Sequence, residues 1–228
     1  MLTGYGMISA TIGLDTVLMK KGLLIFIAVL VSLVVVLILF RGPIRGAVES
    51  YLTRDMFVVE DQDAFDPGLA VGQPLPELQI ISAGQKFTDL RSFQRESGLV
   101  LVAVRSVDWC PYCMRQVIDL QQHQQAFADA GVGLVVMSYD SPDLQQAFIQ
   151  QQGITIPLVA DIDAYSIKAL GILNPEPEPD DPAYGIPYPG VFILNPQQQI
   201  VGKLFLEPYR LRISADAILA FAQRSLLQ

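Results

Sequence analysis

The chain has 228 residues, 51% of them hydrophobic and 17% charged, with a formal net charge of -8 and two cysteines. A balance this acidic lacks the basic footprint that phosphate neutralisation needs, which argues against nucleic acid as a partner. Two cysteines permit one disulfide, too few to staple a secreted scaffold, and at about 100–200 residues per domain the length allows one core-bearing domain and an appendage.

Most of the hydrophobic excess lies between Gly22 and Phe40, GLLIFIAVLVSLVVVLILF, where Ser32 is the one polar side chain. At 1.5 Å per residue this is about 28 Å of helix, close to a bilayer's hydrocarbon thickness, so the run predicts a transmembrane helix over 22–40. Lys20, Lys21 and Arg41 flank it. A signal peptide would carry a shorter apolar region and a small-x-small cleavage site, which RGPIRG does not supply, so the anchor is read as uncleaved. Residues 1–21 form an N-terminal tail, within which Met19-Lys20-Lys21 marks Met19 as a candidate start in place of Met1. A short tail before a single early span is expected to leave the larger part extracytoplasmic, as in a periplasm. Lys20 and Lys21 before the span, against Arg41, Arg45 and Arg54 after it, lean slightly the other way.

Residues 42–228 hold 12 Lys plus Arg against 22 Asp plus Glu (15 and 23 in the chain, less 3 and 1 in residues 1–41). Residues 41–70 show no sustained apolar period and read as a linker, with the folded domain over 71–228. Leu78–Ile81 and Lys86–Phe87 predict a small hairpin. Leu99–Val104 is a continuous apolar run, as for a central strand covered on both faces. Helical periodicity runs from Cys110 to Ala130, a second apolar strand from Val132 to Met137, and a helix from Ser141 to about Gln152 with Pro142 in its first turn. A short strand at 156–159 and a short helix at 164–170 follow. Residues 191–194 and 200–205 predict an antiparallel hairpin, and Ser214 caps a last helix with Asp216 in its first turn. Strands alternating with helices indicate a three-layer α/β/α domain with a mixed sheet. Asn174–Pro182, NPEPEPDDP, is a stiff exposed insert that could shape a binding edge.

The chemistry is carried by Trp109-Cys110-Pro111-Tyr112-Cys113. A strand, a turn and Cys-x-x-Cys in the first turn of a helix put both sulfurs on one face, where they can be bridged without moving the backbone. The helix N-terminus favours the thiolate. Cys110 is therefore expected to be the exposed attacking thiolate and Cys113 the resolving thiol of a redox-active disulfide. Pro111 and Tyr112 would tune the potential, while Arg105 and Arg115 read as solvated charges. No cofactor is required. Zinc lacks ligands beyond the two thiols and His123, which itself reads as a solvated helical residue. Copper(I) carriage by the thiolates remains a non-enzymatic alternative.

The run VLVAVRSVDWCPYC, with MSYDSPDLQQAF, GITIPLVADID, GIPYPGVFILN and KLFLEPYRLR in order, resembles thioredoxin-fold redoxins and, more closely, the alkyl hydroperoxide reductase and thiol-specific antioxidant family, which is peroxiredoxin-like. The resemblance implies a thioredoxin-like fold and a cis proline at Pro189 facing the cysteines. Trp109, Pro111, Tyr112, Tyr188 and Pro189 would then position the substrate. Peroxidatic sites of this family carry a proline and a hydroxyl where this chain has Ala103 and Val107, and no arginine precedes Val191 in the matching strand. Two readings follow: a membrane-anchored thiol-disulfide oxidoreductase acting on a thiol or disulfide protein partner or electron donor, or a thiol peroxidase acting on a hydroperoxide, with Cys110 peroxidatic and Cys113 resolving.

Overall fold

The computed structural model describes residues 6–60 and 64–227, in two units, Met1–Tyr51 and Leu52–Gln228. Nearly all of the first unit lies in helix α1 (Gly6–Thr53). Leu23, Leu24, Phe26, Val29 and Leu33 on this helix are all more than half exposed, and Ser32 satisfies its hydroxyl by donating to the Ala28 carbonyl at 2.8 Å. Among the described residues no helix is long and apolar enough to cross a membrane. The expected span over 22–40 is therefore unsupported as a span. Residues 1–5 of the expected tail, and the side chains of Met19, Gly22, Leu37, Leu39 and Phe40, lie outside the described residues.

The second unit contains β1 (Phe57–Val58), β2 (Ile80–Ser82), β3 (Gln85–Phe87), β4 (Gly98–Ala103), α2 (Pro111–Gln122), α3 (Gln124–Asp129), β5 (Val132–Ser138), α4 (Pro142–Gln152), β6 (Leu158–Asp161), α5 (Tyr165–Ala169), β7 (Gly190–Leu194), β8 (Ile200–Phe205), β9 (Arg212–Ile213) and α6 (Ala215–Leu226). Seven strands form a mixed sheet in the order β3-β2-β6-β5-β4-β7-β8, with β4, β5 and β6 parallel to one another. All six residues of β4 are buried, because alternate side chains feed different cores. Val100 and Val102 pack with α2, α3, α4 and α6 through Val117, Leu120, Phe127, Phe148 and Ile218. Leu99, Leu101 and Ala103 pack on the other face against Leu78, Ile167 of α5 and Phe192. Burying each such aliphatic side chain is worth about 1.5–3 kcal/mol. This is the α/β architecture with a mixed sheet expected from the alternating pattern, and it agrees with the thioredoxin-like fold that the resemblance implies.

Three departures matter. The helix expected over 110–130 breaks at His123, whose φ of -100° and ψ of 3° end α2 and begin α3. The expected linker, 41–70, is not a tether. Residues 41–51 lie in α1, Thr53 and Met56 are buried, and β1 pairs with β9. Farther on, Lys203 holds Asp66 at 2.7 Å, and the Leu69 amide donates to the Leu170 carbonyl. The second unit thus starts at Leu52 rather than 71; its first contacts are made by the short apolar run over 56–59 and by residues such as Leu69, none of which carries a sustained period. Finally, no described peptide bond is cis. The bond before Pro189 is trans, the form that X-Pro bonds favour by about 0.5–1 kcal/mol, and the expected cis proline is corrected.

Candidate active site

The cysteines stand where the central strand hands over to a helix. After β4 the chain turns through residues 104–109, and Cys110 becomes the N-cap of α2 with extended backbone (φ -95°, ψ 102°). Its sulfur accepts from the Cys113 amide at 3.4 Å, which satisfies one of the donors a helix start leaves over. Pro111 follows at the first helical position, where its missing N–H costs nothing. Both thiols are free.

Asp140, just beyond β5, organises the turn. Its carboxylate accepts from the Ser106 hydroxyl and the Val107 amide, each at 2.7 Å, and from the Ser138 hydroxyl at 2.8 Å. Ser106 in turn accepts from the amides of Asp108 and Trp109. Asp140 is 3% exposed. Burial pushes its pKa up and the three donors pull it back, leaving it above the usual carboxylate value.

Exposure corrects one expectation. Cys110 is 2% and Cys113 0% exposed, so the attacking sulfur is not an open thiolate. Both pack among Val104, Val107 and Val117. A groove of about 520 Å3 lies beside Trp109, lined also by Arg105, Tyr188, Pro189 and Tyr209, with Asn174 and Glu176 of the acidic insert; neither cysteine is in its lining.

The charge on the pair is set from behind. Arg212 of β9, 3% exposed, donates from Nη2 to Cys113 Sγ at 3.2 Å. Its Nη1 donates to the carbonyls of Tyr209 and Leu211, both at 2.6 Å, and its buried Nε has no acceptor among the described residues. Burial alone would push the Cys113 thiol up. The hydrogen bond from Cys110 and the guanidinium charge outweigh it, and the pKa falls to about 5. Cys110 moves the opposite way, raised first by its hydrogen bond to Cys113, then by burial and by the charge on Cys113. The two shifts are opposed: the buried guanidinium favours the charged form of Cys113, while Cys110 at the helix start is held toward its protonated form.

Of the residues singled out from sequence, Trp109, Tyr188 and Pro189 line the groove together. The Trp109 indole donates to the Tyr139 hydroxyl at 3.0 Å. Tyr112 lies outside that lining, edge-on to Tyr209 with ring centroids 6.3 Å apart, and Pro111 serves the helix start. Arg105 is not a free surface charge: its guanidinium lies 5.1 Å from the ring centroids of both Trp109 and Tyr209. Arg115 is exposed, as expected. His123 is more engaged than expected, 3.2 Å from Asp216 of α6 and 2.8 Å from the Asp119 carbonyl. Among the described residues no three His, Cys, Asp or Glu converge into a metal-holding group. Arg212 and Asp140 are the functional residues sequence reasoning missed. Arg212 meets its sulfur across 99 residues, and within KLFLEPYRLR nothing distinguishes it from Arg210.

Sheet order and cysteine placement together define a thioredoxin-fold, peroxiredoxin-like redoxin. The chain belongs to the AhpC/TSA family, which residues 71–203 match. It is similar to the 1-Cys peroxiredoxin PER1 of Hordeum vulgare, 26% identical over 151 residues that cover 62% of this chain and 66% of the barley protein. The chain thus spans just under two thirds of that relative's length. In fold it resembles a peroxiredoxin-like protein from Aquifex aeolicus (TM-score 0.59, 19% identity, 70% of this chain and 90% of that one). It also resembles reduced Prx3 from Vibrio vulnificus (TM-score 0.59, 20% identity, 68% and 99%).

Proposed function

We propose that this protein is a peroxiredoxin-like thiol peroxidase in which Cys110 and Cys113 cycle between dithiol and disulfide. The observation that carries the reading is the arginine-held thiolate of Cys113 hydrogen-bonded to the Cys110 thiol. In the cycle, Cys110 sulfur attacks the near oxygen of a hydroperoxide and passes its proton to the Cys113 thiolate. The O–O bond breaks, the alkoxide or hydroxide leaves as alcohol or water with that proton, and Cys110 becomes a sulfenic acid. Cys113 thiolate then attacks the Cys110 sulfur, expelling hydroxide, which is protonated to water, and the disulfide closes. A dithiol partner restores the pair by exchange, its own thiols becoming a disulfide.

Val107 and Ala103 stand at the positions of the family's hydroxyl and proline, and the Ser106 hydroxyl is committed to Asp140. Peroxide positioning accordingly falls to the pair and to Arg212, whose Nε keeps a spare donor. The second reading, disulfide exchange with a protein substrate, is favoured by one observation: the aromatic groove beside Trp109 is far larger than a peroxide requires. Stopped-flow mixing of the reduced protein with hydrogen peroxide separates the two. Peroxidase function gives one disulfide per peroxide at a rate far above that of free cysteine, and Cys113→Ser, slowed by the loss of its proton acceptor, forms a Cys110 sulfenic acid that persists. A rate equal to free cysteine, with disulfide formed only from a disulfide-bearing protein, assigns exchange instead.

We further propose that the exposed apolar side chains of α1 hold the protein at a membrane, with the redox domain on the extracytoplasmic side. The support is the apolar stretch itself, exposed along residues 23–36. Retention in the pellet after alkaline carbonate washing, and digestion of the domain by protease added outside intact spheroplasts, are the expected results.

A further inference from the structure

Arg212 has two kinds of anchor. Its side chain donates to Tyr209 and Leu211, contacts within three residues that fold the guanidinium onto its own loop without fixing that loop to α2. The backbone anchor is different. The Arg212 amide donates to the Met56 carbonyl at 2.8 Å and the Ser214 amide to the Val58 carbonyl at 3.0 Å, in a parallel pairing of Phe57 with Arg212 and Val58 with Ile213. β9 stands outside the seven-stranded sheet, and β1 is its strand partner. Both strands are two residues long, and a ladder this short is marginal unless packing supports it. Here Met56 is 2% and Ile213 4% exposed, and Val58 and Leu211 pack on the core that holds both cysteines.

We infer that β1, the strand at the head of the domain, is a positioning element for the reaction: by pairing with β9 it holds Arg212 against Cys113 and so keeps the charge on that sulfur. The inference rests on the reading of Cys110 and Cys113 as the redox pair and adds residues 56–58 to its support. Without β1, two amides of the 212–214 segment lose their acceptors, the β9 backbone is released, and the guanidinium is free to follow Tyr209 and Leu211 toward solvent. The groups that face Cys113 from its surroundings are Cys110 at the cap of α2, Arg212 from β9 and the backbone of Ser106 in the preceding turn, itself held by Asp140. Only Arg212 among them is cationic, so its displacement moves Cys113 back toward an ordinary thiol.

The test uses the full reduced chain and reads thiolate absorbance at 240 nm against pH. Val58→Pro removes a ladder donor and is disfavoured within a strand, Phe57→Gly weakens the strand while keeping its amide, and Val58→Ile preserves it. We expect Val58→Pro and Phe57→Gly to raise the low-pH thiolate midpoint by about one pH unit or more, in the direction of Arg212→Met, while Val58→Ile stays at the parent value. Near-UV circular dichroism confirms that the core is intact, and if Val58→Pro does not fold, Phe57→Gly carries the measurement. A folded β1 variant that titrates like the parent, while Arg212→Met shifts, overturns the inference. Peroxide turnover is not needed for this readout, so failure of the peroxidase reading leaves its own separate mark.

Discussion

Two arginines flank the cysteine pair, and their surroundings give the same guanidinium two different tasks. Arg105 lies at the mouth of the groove, half-buried between the Trp109 and Tyr209 rings. Water reaches it, so its charge is screened and its contribution is to stack the rim, worth about 0.5–1 kcal/mol per exposed ring contact. Arg212 lies on the floor of the cysteine site, outside the groove lining, 3% exposed, with a sulfur 3.2 Å away. There the low effective dielectric makes its charge felt, and isolating it without a counter-charge would be expensive. The thiolate on Cys113 is that counter-charge. Burial turns the floor arginine into an electrostatic device and leaves the mouth arginine a piece of architecture.

The sharpest way to break this contrast is to remove the floor charge. Arg212→Met should lower the rate of reaction with hydroperoxide at pH 7 by roughly a hundredfold, measured by single-turnover stopped flow. Arg105→Met should change that rate less than threefold and act through KM for large partners. Equal losses in the two variants would erase the distinction.

Asp140 ranks next, since it holds the turn that carries Arg105 and leads into Cys110. Asp140→Ala leaves Ser106, Val107 and Ser138 without their acceptor and should destabilise the protein by about 1–3 kcal/mol in urea unfolding.

The pair should also write a pH signature on stability. Cys113 lies below its unfolded value of 9.0 at about 5, so its contribution is present above pH 9 and is lost as pH falls through about 5. Cys110 is raised, and its contribution is lost as pH climbs above 9. The reduced protein should therefore gain thermal stability from pH 5 toward pH 9 relative to Arg212→Met, in scanning calorimetry across that range. A parallel profile in the two proteins would contradict the assignment.

His123 supplies the smallest effect. Its pKa is raised, first by the Asp119 carbonyl and then by the Asp216 and Asp119 charges against partial burial. The contribution is present below about pH 6.5 and lost above the folded value. Because Asp216 is 81% exposed, His123→Ala should cost no more than a few tenths of a kcal/mol at pH 5.5 and nothing measurable at pH 8.5.

The same contrast explains what could be read from sequence. The features around the cysteines announce themselves locally: β4 is an unbroken apolar run, Pro111 marks a helix start, and Cys110 and Cys113 share that first turn. Trp109 could be placed because it adjoins such an element, whereas Pro189 is placed only by the family resemblance. The floor has no local signal. Arg212 reaches Cys113 only after β9 finds β1, and two-residue strands carry no period to detect. The domain boundary is missed for the same reason: the apolar run over 56–59 is too short to show a period, and Phe65 and Leu69 are single apolar residues with partners far along the chain. Nor could spacing reveal which sulfur holds the charge. The helix start favours Cys110, and a buried guanidinium delivered from 99 residues away reverses it.

The account turns on where the resting charge sits, and one paired titration addresses it. Reduced Cys110→Ser should show a thiolate at 240 nm with a midpoint near the value of about 5 set for Cys113, whereas reduced Cys113→Ser should show none until well above that pH. The opposite pattern, with the low midpoint surviving in Cys113→Ser and missing in Cys110→Ser, would place the charge at the helix start and contradict the role assigned to Arg212.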